Sequence, residues 1–165
     1  MSELRTNRIV PRDGLVSGAS GGVIQVVFFS LATGSTVTVN SSTFVDVLTA
    51  SITPTRSDSK ILVQVTSAPK TNGGSANFQF GAQIQRNSTT IMYDNEYLQM
   101  NNGYAPNAFT GAYTVLDSPA STSALTYKFR CSRSVTGREL YFENSTDNTG
   151  NYYNKHTMTL MEVSA

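Results

Sequence analysis

Three observations predict an all-β fold, an antiparallel β-sandwich. Apolar and polar residues alternate over short runs, a period of two that puts one row on each face of a strand. Clusters of Gly, Asn, Ser and Pro separate those runs, and no segment sustains a helical period. The length, 165 residues, lets one core bury about 68 to 70% of the unfolded surface, so neither metal nor disulfide is needed to stabilise it.

Residues 1–22 differ in texture from the rest of the chain. Arg5, Arg8 and Arg12 alternate with Leu4, Ile9 and Val10, and then Gly14, Gly18, Gly21 and Gly22 interrupt any regular element. The apolar side chains favour an attachment arm followed by a flexible hinge, with residues 23–165 forming the sandwich domain. Basic residues ahead of the apolar run 23–32 resemble a secretory signal, but Pro11, the four glycines and Gln25 argue against one.

That run, near-continuous over 23–31, suits a first strand buried on both faces or lying at an interface. Residues 32–42 hold a short Val37/Val39 alternation. The stretch 43–66 reads strand, turn, strand: Phe44, Val45, Val47, Leu48, Ala50 and Ile52 end at Pro54, which has no N–H to donate to a ladder. Thr55, Arg56, Ser57, Asp58 and Ser59 supply turn chemistry, and Ile61, Val63 and Val65 then alternate with the mostly polar row Lys60, Leu62, Gln64 and Thr66. This predicts an antiparallel pair facing the core. Val47 and Leu48 break the alternation, and a β-bulge there would return both halves of the strand to one face.

Phe78, Phe80, Ala82 and Ile84 mark the next strand, which Asn87 and Ser88 turn toward residues 89–93. Phe109, Gly111, Tyr113 and Val115 form a further row. Leu125, Tyr127, Phe129 and Cys131 form another, so the single cysteine is expected to be a buried, inert thiol. Residues 140–142 and 157–163 close the set. About eight to ten short strands in a core of this size suit a jelly-roll-like sandwich better than a smaller immunoglobulin-like domain.

Composition excludes several functions. Net charge is +1 and charged residues are 14% of the chain, which gives no electrostatic basis for binding nucleic acid or an anionic membrane. No window of eighteen apolar residues exists to span a bilayer. One histidine, His156, and one cysteine cannot build a structural zinc site, and no spacing supplies His156 with a nucleophile, so it is read as a structural or surface histidine. No phosphate loop or dinucleotide fingerprint appears, and no cofactor is expected. A glycan-degrading enzyme would need two carboxylates, for which Asp94 and Glu96 are the candidates beside Tyr93 and Tyr97. The N-x-[ST] matches at Asn40, Asn87 and Asn144 arise from composition.

Loop composition is the more informative signal. Residues 93–107 and 144–154 are rich in Tyr and Asn, with Tyr97, Asn101, Asn102, Tyr104, Asn107, Asn151, Tyr152 and Tyr153 as candidate receptor contacts. Tyr offers a flat contact with a polar tip at low entropic cost, and Asn adapts its hydrogen bonds, which suits sugar rings and hydroxyls.

The segments SELRTNRIVPRDGL, GGVIQVV, FVDVLTASITPTRSDSKILVQV and TMTLMEV together resemble short fibre or virion structural proteins of tailed phages, notably cyanophages; residues 69–154 carry no such likeness. The resemblance implies a β-sandwich on the surface of a phage particle, a homotrimer attached to other virion proteins through Leu4, Arg5, Arg8, Ile9, Val10 and Arg12. Its exposed loops would meet a host-surface glycan or protein. Capsid decoration is the alternative placement within the same resemblance.

Overall fold

The computed structural model describes residues 22–71, 78–100, 110–133, 139–144 and 156–165, the side chains of residues 78 and 96–100 excepted. Their regular structure is entirely β, with no helix long and apolar enough to cross a membrane.

Eight longer strands build two four-stranded sheets. They are β1 (Val23–Ser30), β3 (Val45–Ile52), β4 (Lys60–Ser67), β6 (Phe78–Arg86), β7 (Thr89–Met100), β8 (Gly111–Asp117), β9 (Leu125–Arg133) and β11 (His156–Val163). One sheet runs β1-β11-β4-β8 and the other β3-β9-β6-β7, with antiparallel pairing throughout. Counting only these eight in chain order, the sheets read 1-8-3-6 and 2-7-4-5. That order is the doubled Greek key of a jelly roll. Three short strands, β2 (Thr36–Val39), β5 (Lys70–Thr71) and β10 (Leu140–Glu143), form a third sheet in the order β2-β10-β5. The described strands thus number eleven, against about eight to ten expected from the sequence.

The inner faces meet in an apolar core. Val63, Val65, Met158 and Leu160 from the first sheet face Leu48, Phe80, Ile84, Tyr127 and Phe129 from the second, all at most 1% exposed. Phe129 stacks edge-on against Phe142 at 6.4 Å between ring centroids, which ties β10 to that core. Burying a side chain of this size contributes roughly 1.5–3 kcal/mol, so this double layer is the main source of stability. Cys131 is fully buried, and burial pushes its thiol pKa well above the ordinary value.

The predicted bulge is present. Register passes from Asp46↔Arg130 directly to Leu48↔Phe129, so Val47 is the extra residue, and both Val47 and Leu48 stay buried. The β6–β7 hairpin is also as expected. Asn87 holds φ at 52°, which its short polar side chain tolerates, and its Oδ1 accepts from the Thr126 amide at 3.0 Å.

Three expectations are corrected. The strands of 43–66 do not pair with each other: β3 bonds to β9, whereas β4 bonds to β11 and β8. The connection 53–59 lacks the glycine that a tight primed turn favours, and it crosses from one sheet to the other instead of closing a hairpin. Strand β1 is not buried on both faces, because nothing among the described residues covers its outer row and Val26 and Phe28 are exposed; it also lies at the edge of its sheet. Finally, residues 93–100, read as loop, belong to β7. Pairing with β6 continues to Phe78↔Met100 across an irregularity in which residues 95–97 lie opposite Gly81 alone.

Candidate functional site

The topology gives the sandwich two distinct poles. At the first, β1 ends at Ser30, β4 at Ser67 and β7 at Met100, while β8 begins at Gly111 and β11 at His156. Register confirms the alignment: Ser67 is the partner of both His156 and Gly111. The Tyr/Asn-rich segments, within 101–110 and 145–155, therefore both spring from this pole.

Its base is firmly built. The small sheet joins the β1–β3, β4–β6 and β9–β11 connections, and Lys70 on β5 pairs with Glu143 on β10. Asn144, 3% exposed, donates from its side-chain amide to the Leu31 carbonyl. Its backbone exchanges bonds with Ser35 at 3.1 Å and Gly34 at 2.7 Å, and Gly34 takes a positive φ of 78° there. His156 is fully buried, with Nδ1 3.0 Å from Ser67 Oγ and Nε2 3.2 Å from the Glu143 carbonyl; its ring stands edge-on to Phe142 at 5.3 Å. Of the structural and surface roles left open by the sequence, burial leaves the structural one. These bonds satisfy groups that would be costly to bury unpaired.

At the opposite pole the chain enters and leaves side by side. Ser164 N donates to the Gly22 carbonyl at 2.9 Å, and Gly22 N donates to Ser164 Oγ at 3.0 Å. Gly22, where the described residues begin, therefore lies at the end remote from Met100, Gly111 and His156. Strand β1 connects the two poles, an eight-residue span of about 25 Å.

One buried and one largely buried carboxylate organise this pole. Glu162, with no exposed surface, accepts from Gln25 Nε2 at 2.6 Å, from Thr55 N and Oγ1 at 2.8 and 2.9 Å, and from Arg56 N at 3.3 Å. Burial raises its carboxyl pKa, but these bonds outweigh burial and hold it below the ordinary value. On the β8 side, Asp117 takes both oxygens to Arg86 Nη1 at 2.8 Å and accepts from Tyr127 Oη at 2.7 Å. This bridges β8 in one sheet to β6 and β9 in the other. Burial, followed by the Asp117 carboxylate, pushes the Tyr127 phenol far above its usual pKa, so it stays a donor.

The two outer faces differ sharply. On the β3-β9-β6-β7 sheet, Asp46 accepts from Lys128 Nζ and Arg130 Nε, both at 2.6 Å, and Arg130 also donates to Gln85 and the Phe44 carbonyl. Burial raises the Asp46 pKa, but its bonds with Lys128 and Arg130 bring it below the ordinary value. The outer face of the β1-β11-β4-β8 sheet carries instead the row Val26, Met161, Leu62, Leu116, one residue from each strand. The adjacent row is Phe28, Thr159, Gln64, Thr114. On its other side lie Val23, Val163 and Lys60, the last being the one charge in these three rows.

The arm residues Leu4, Arg5, Arg8, Ile9, Val10 and Arg12 lie outside the described residues, as do Asn101, Asn102, Tyr104, Asn107, Asn151, Tyr152 and Tyr153. Tyr97 falls within β7, in the irregularity opposite Gly81. Tyr93 is exposed on β7, with its ring edge-on to Phe44 at 5.8 Å. Of the two carboxylates considered for glycan cleavage, both sit on β7 rather than on a loop, and Asp94 accepts from Tyr113 Oη at 2.6 Å. Among the described residues no cluster of three or more His, Cys, Asp and Glu side chains is arranged to hold a metal ion.

Sequence reading missed Glu162 and Asp117. Both carry a usable signal: each is a carboxylate in the core phase of its strand, Glu162 in step with Met158 and Leu160, Asp117 with Tyr113 and Val115. A charge at such a position must be paired or richly hydrogen-bonded.

No protein-family model matches the chain, and no curated protein does. Among solved structures, a chain in the structure of the infectious bursal disease virus Gx strain is similar, with 11% identity and a TM-score of 0.43 over 98% of this chain and 43% of that one. The chain thus spans less than half the length of that solved chain.

Proposed function

We propose that this chain is a non-enzymatic structural protein of a virus particle, a short fibre-like module of a tailed phage. Residues 1–22 anchor it to other virion proteins, the jelly roll assembles as a homotrimer on the particle surface, and residues within 93–107 and 144–154 meet a host-surface glycan or protein. The observation that carries this reading is the polarity of the fold, with the arm leaving one pole and both Tyr/Asn segments springing from the other. A module that must hold a particle at one end and touch a cell at the other needs that separation. The sequence resemblance to phage fibre and virion proteins supports the same reading.

The test uses two variants of the full chain carried on particles. Alanine at Tyr97, Tyr104, Tyr152 and Tyr153 should abolish binding to host cells while leaving particle incorporation intact. Replacing Arg5, Arg8, Arg12, Leu4, Ile9 and Val10 should do the reverse. Unchanged host binding in the first variant overturns the recognition role. The same two-pole layout would serve a capsid decoration protein, and antibody labelling of particles separates the placements by position on head or tail.

A further inference from the structure

We infer that the outer face of the β1-β11-β4-β8 sheet is the surface through which copies of this chain pack on one another. The inference rests on the reading of the chain as a self-associating particle component, and it names the residues that reading lacks.

Strand β1 has two apolar rows. Val27 and Phe29 point to the core, and Val26 and Phe28 point away from it at 56% and 59% exposure. An antiparallel sheet with one wet face ordinarily carries polar residues there. Of the five large apolar side chains exposed among the described residues, four lie on this face: Val23, Val26, Phe28 and Leu116. Met161 and Leu62 join Val26 to Leu116, so the apolar row crosses all four strands without a break.

The occupant follows from charge and area. Lys60 is the one charge in the three rows, so nothing there complements a charged partner, whereas the other outer face is covered by the Asp46, Lys128 and Arg130 network. An uncharged apolar surface meets apolar surface on an identical copy without like-charge repulsion, whether the contact is twofold or head-to-tail about a threefold axis. Four strands about 4.8 Å apart and about 25 Å long give a plan area of roughly 500 Å². With side-chain relief the whole face, shared between two neighbours in a trimer, approaches the roughly 800 Å² that each partner buries in one standard interface. Strand β1 is moreover an edge with no Lys or Pro to discourage pairing, a hazard that an ordered neighbour removes. Because the face runs parallel to the line between the poles, copies related by an axis along the strands keep every arm at one end and every Tyr/Asn segment at the other. A threefold axis in that direction fits both the face and the proposed function.

The experiment is the sedimentation mass of the full chain at about ten micromolar, for wild type, Phe28→Glu, Val26→Lys and the opposite-face control Thr49→Glu, with far-ultraviolet circular dichroism to verify folding. Wild type and T49E are expected at trimer mass, and F28E and V26K at monomer mass with unchanged spectra, a loosening of at least 100-fold. Because Cys131 is buried, Thr159→Cys adds the accessible thiol needed for a second readout, and a bismaleimide should link copies of T159C on particles. Trimers that survive in both F28E and V26K, or that T49E also breaks, overturn the assigned face while leaving self-association standing. A monomeric wild type together with no T159C cross-link on particles overturns self-association itself.

Discussion

Replacing Glu162 by Gln keeps the shape of a fully buried side chain and removes its charge. The carboxylate accepts four hydrogen bonds, three on Oε1 and one on Oε2 from Gln25. With the new amide oxygen toward Thr55 and Arg56, its NH₂ faces the Gln25 NH₂, donor against donor. Gln25 cannot simply invert, because its Nε2 also donates to the Thr53 carbonyl at 2.7 Å and inversion would set oxygen against oxygen. One charge-assisted bond, about 1.5–3 kcal/mol, is lost, and three others fall to neutral strength. The expected total is about 3 kcal/mol, or a fall in Tm of about 6–12 °C for a domain of this size. The pH dependence sharpens the test. Glu162 has a folded pKa below its ordinary 4.5, so the unfolded chain takes up the proton first as pH falls. Its contribution is therefore complete above about pH 4.5 and is lost as pH drops through the folded value. Urea unfolding at pH 7 and at steps down to pH 3 should show E162Q less stable at neutral pH and less sensitive to acid than wild type. A difference under about 1 kcal/mol at pH 7, or an unchanged acid slope, would refute the carboxylate's role.

Asp117→Asn should cost about 2–3 kcal/mol in urea unfolding at pH 7, because Asp117 and Arg86 are only 10% and 22% exposed and Tyr127 shares the same carboxylate. Asp46→Asn should cost less than about 1 kcal/mol, since its side chain is 38% exposed and water screens its pairs with Lys128 and Arg130; double-mutant cycles at low and high salt would measure this. Cys131 should resist alkylation by iodoacetamide in the folded protein and react fully in denaturant; rapid labelling without denaturant would contradict its burial.

Where local period and turn chemistry decide the structure, the sequence was readable. The rows of β6 and β9, the Asn87 turn and the extra residue at Val47 are all local signals, and each was found. Partner choice was not readable, because it depends on contacts between distant segments. Residues 43–66 look like a hairpin, yet the chain changes sheets between Ile52 and Lys60. The third sheet escaped for the same reason: Lys70–Thr71 is too short to show a period, and its partner strand lies about seventy residues on. In β1 the continuous apolar run left twofold burial and an interface both open. The exposure of Val26 and Phe28 removes the first.

The separation of arm and Tyr/Asn segments also fixes how the domain bears load. Tension entering at Gly22 and leaving at His156 pulls β1 and β11 lengthwise in opposite directions. The seven register pairs between them then resist together, in shear, instead of opening one after another like a zip. A domain that is stiff under that pull and easily peeled from the side is what this topology builds.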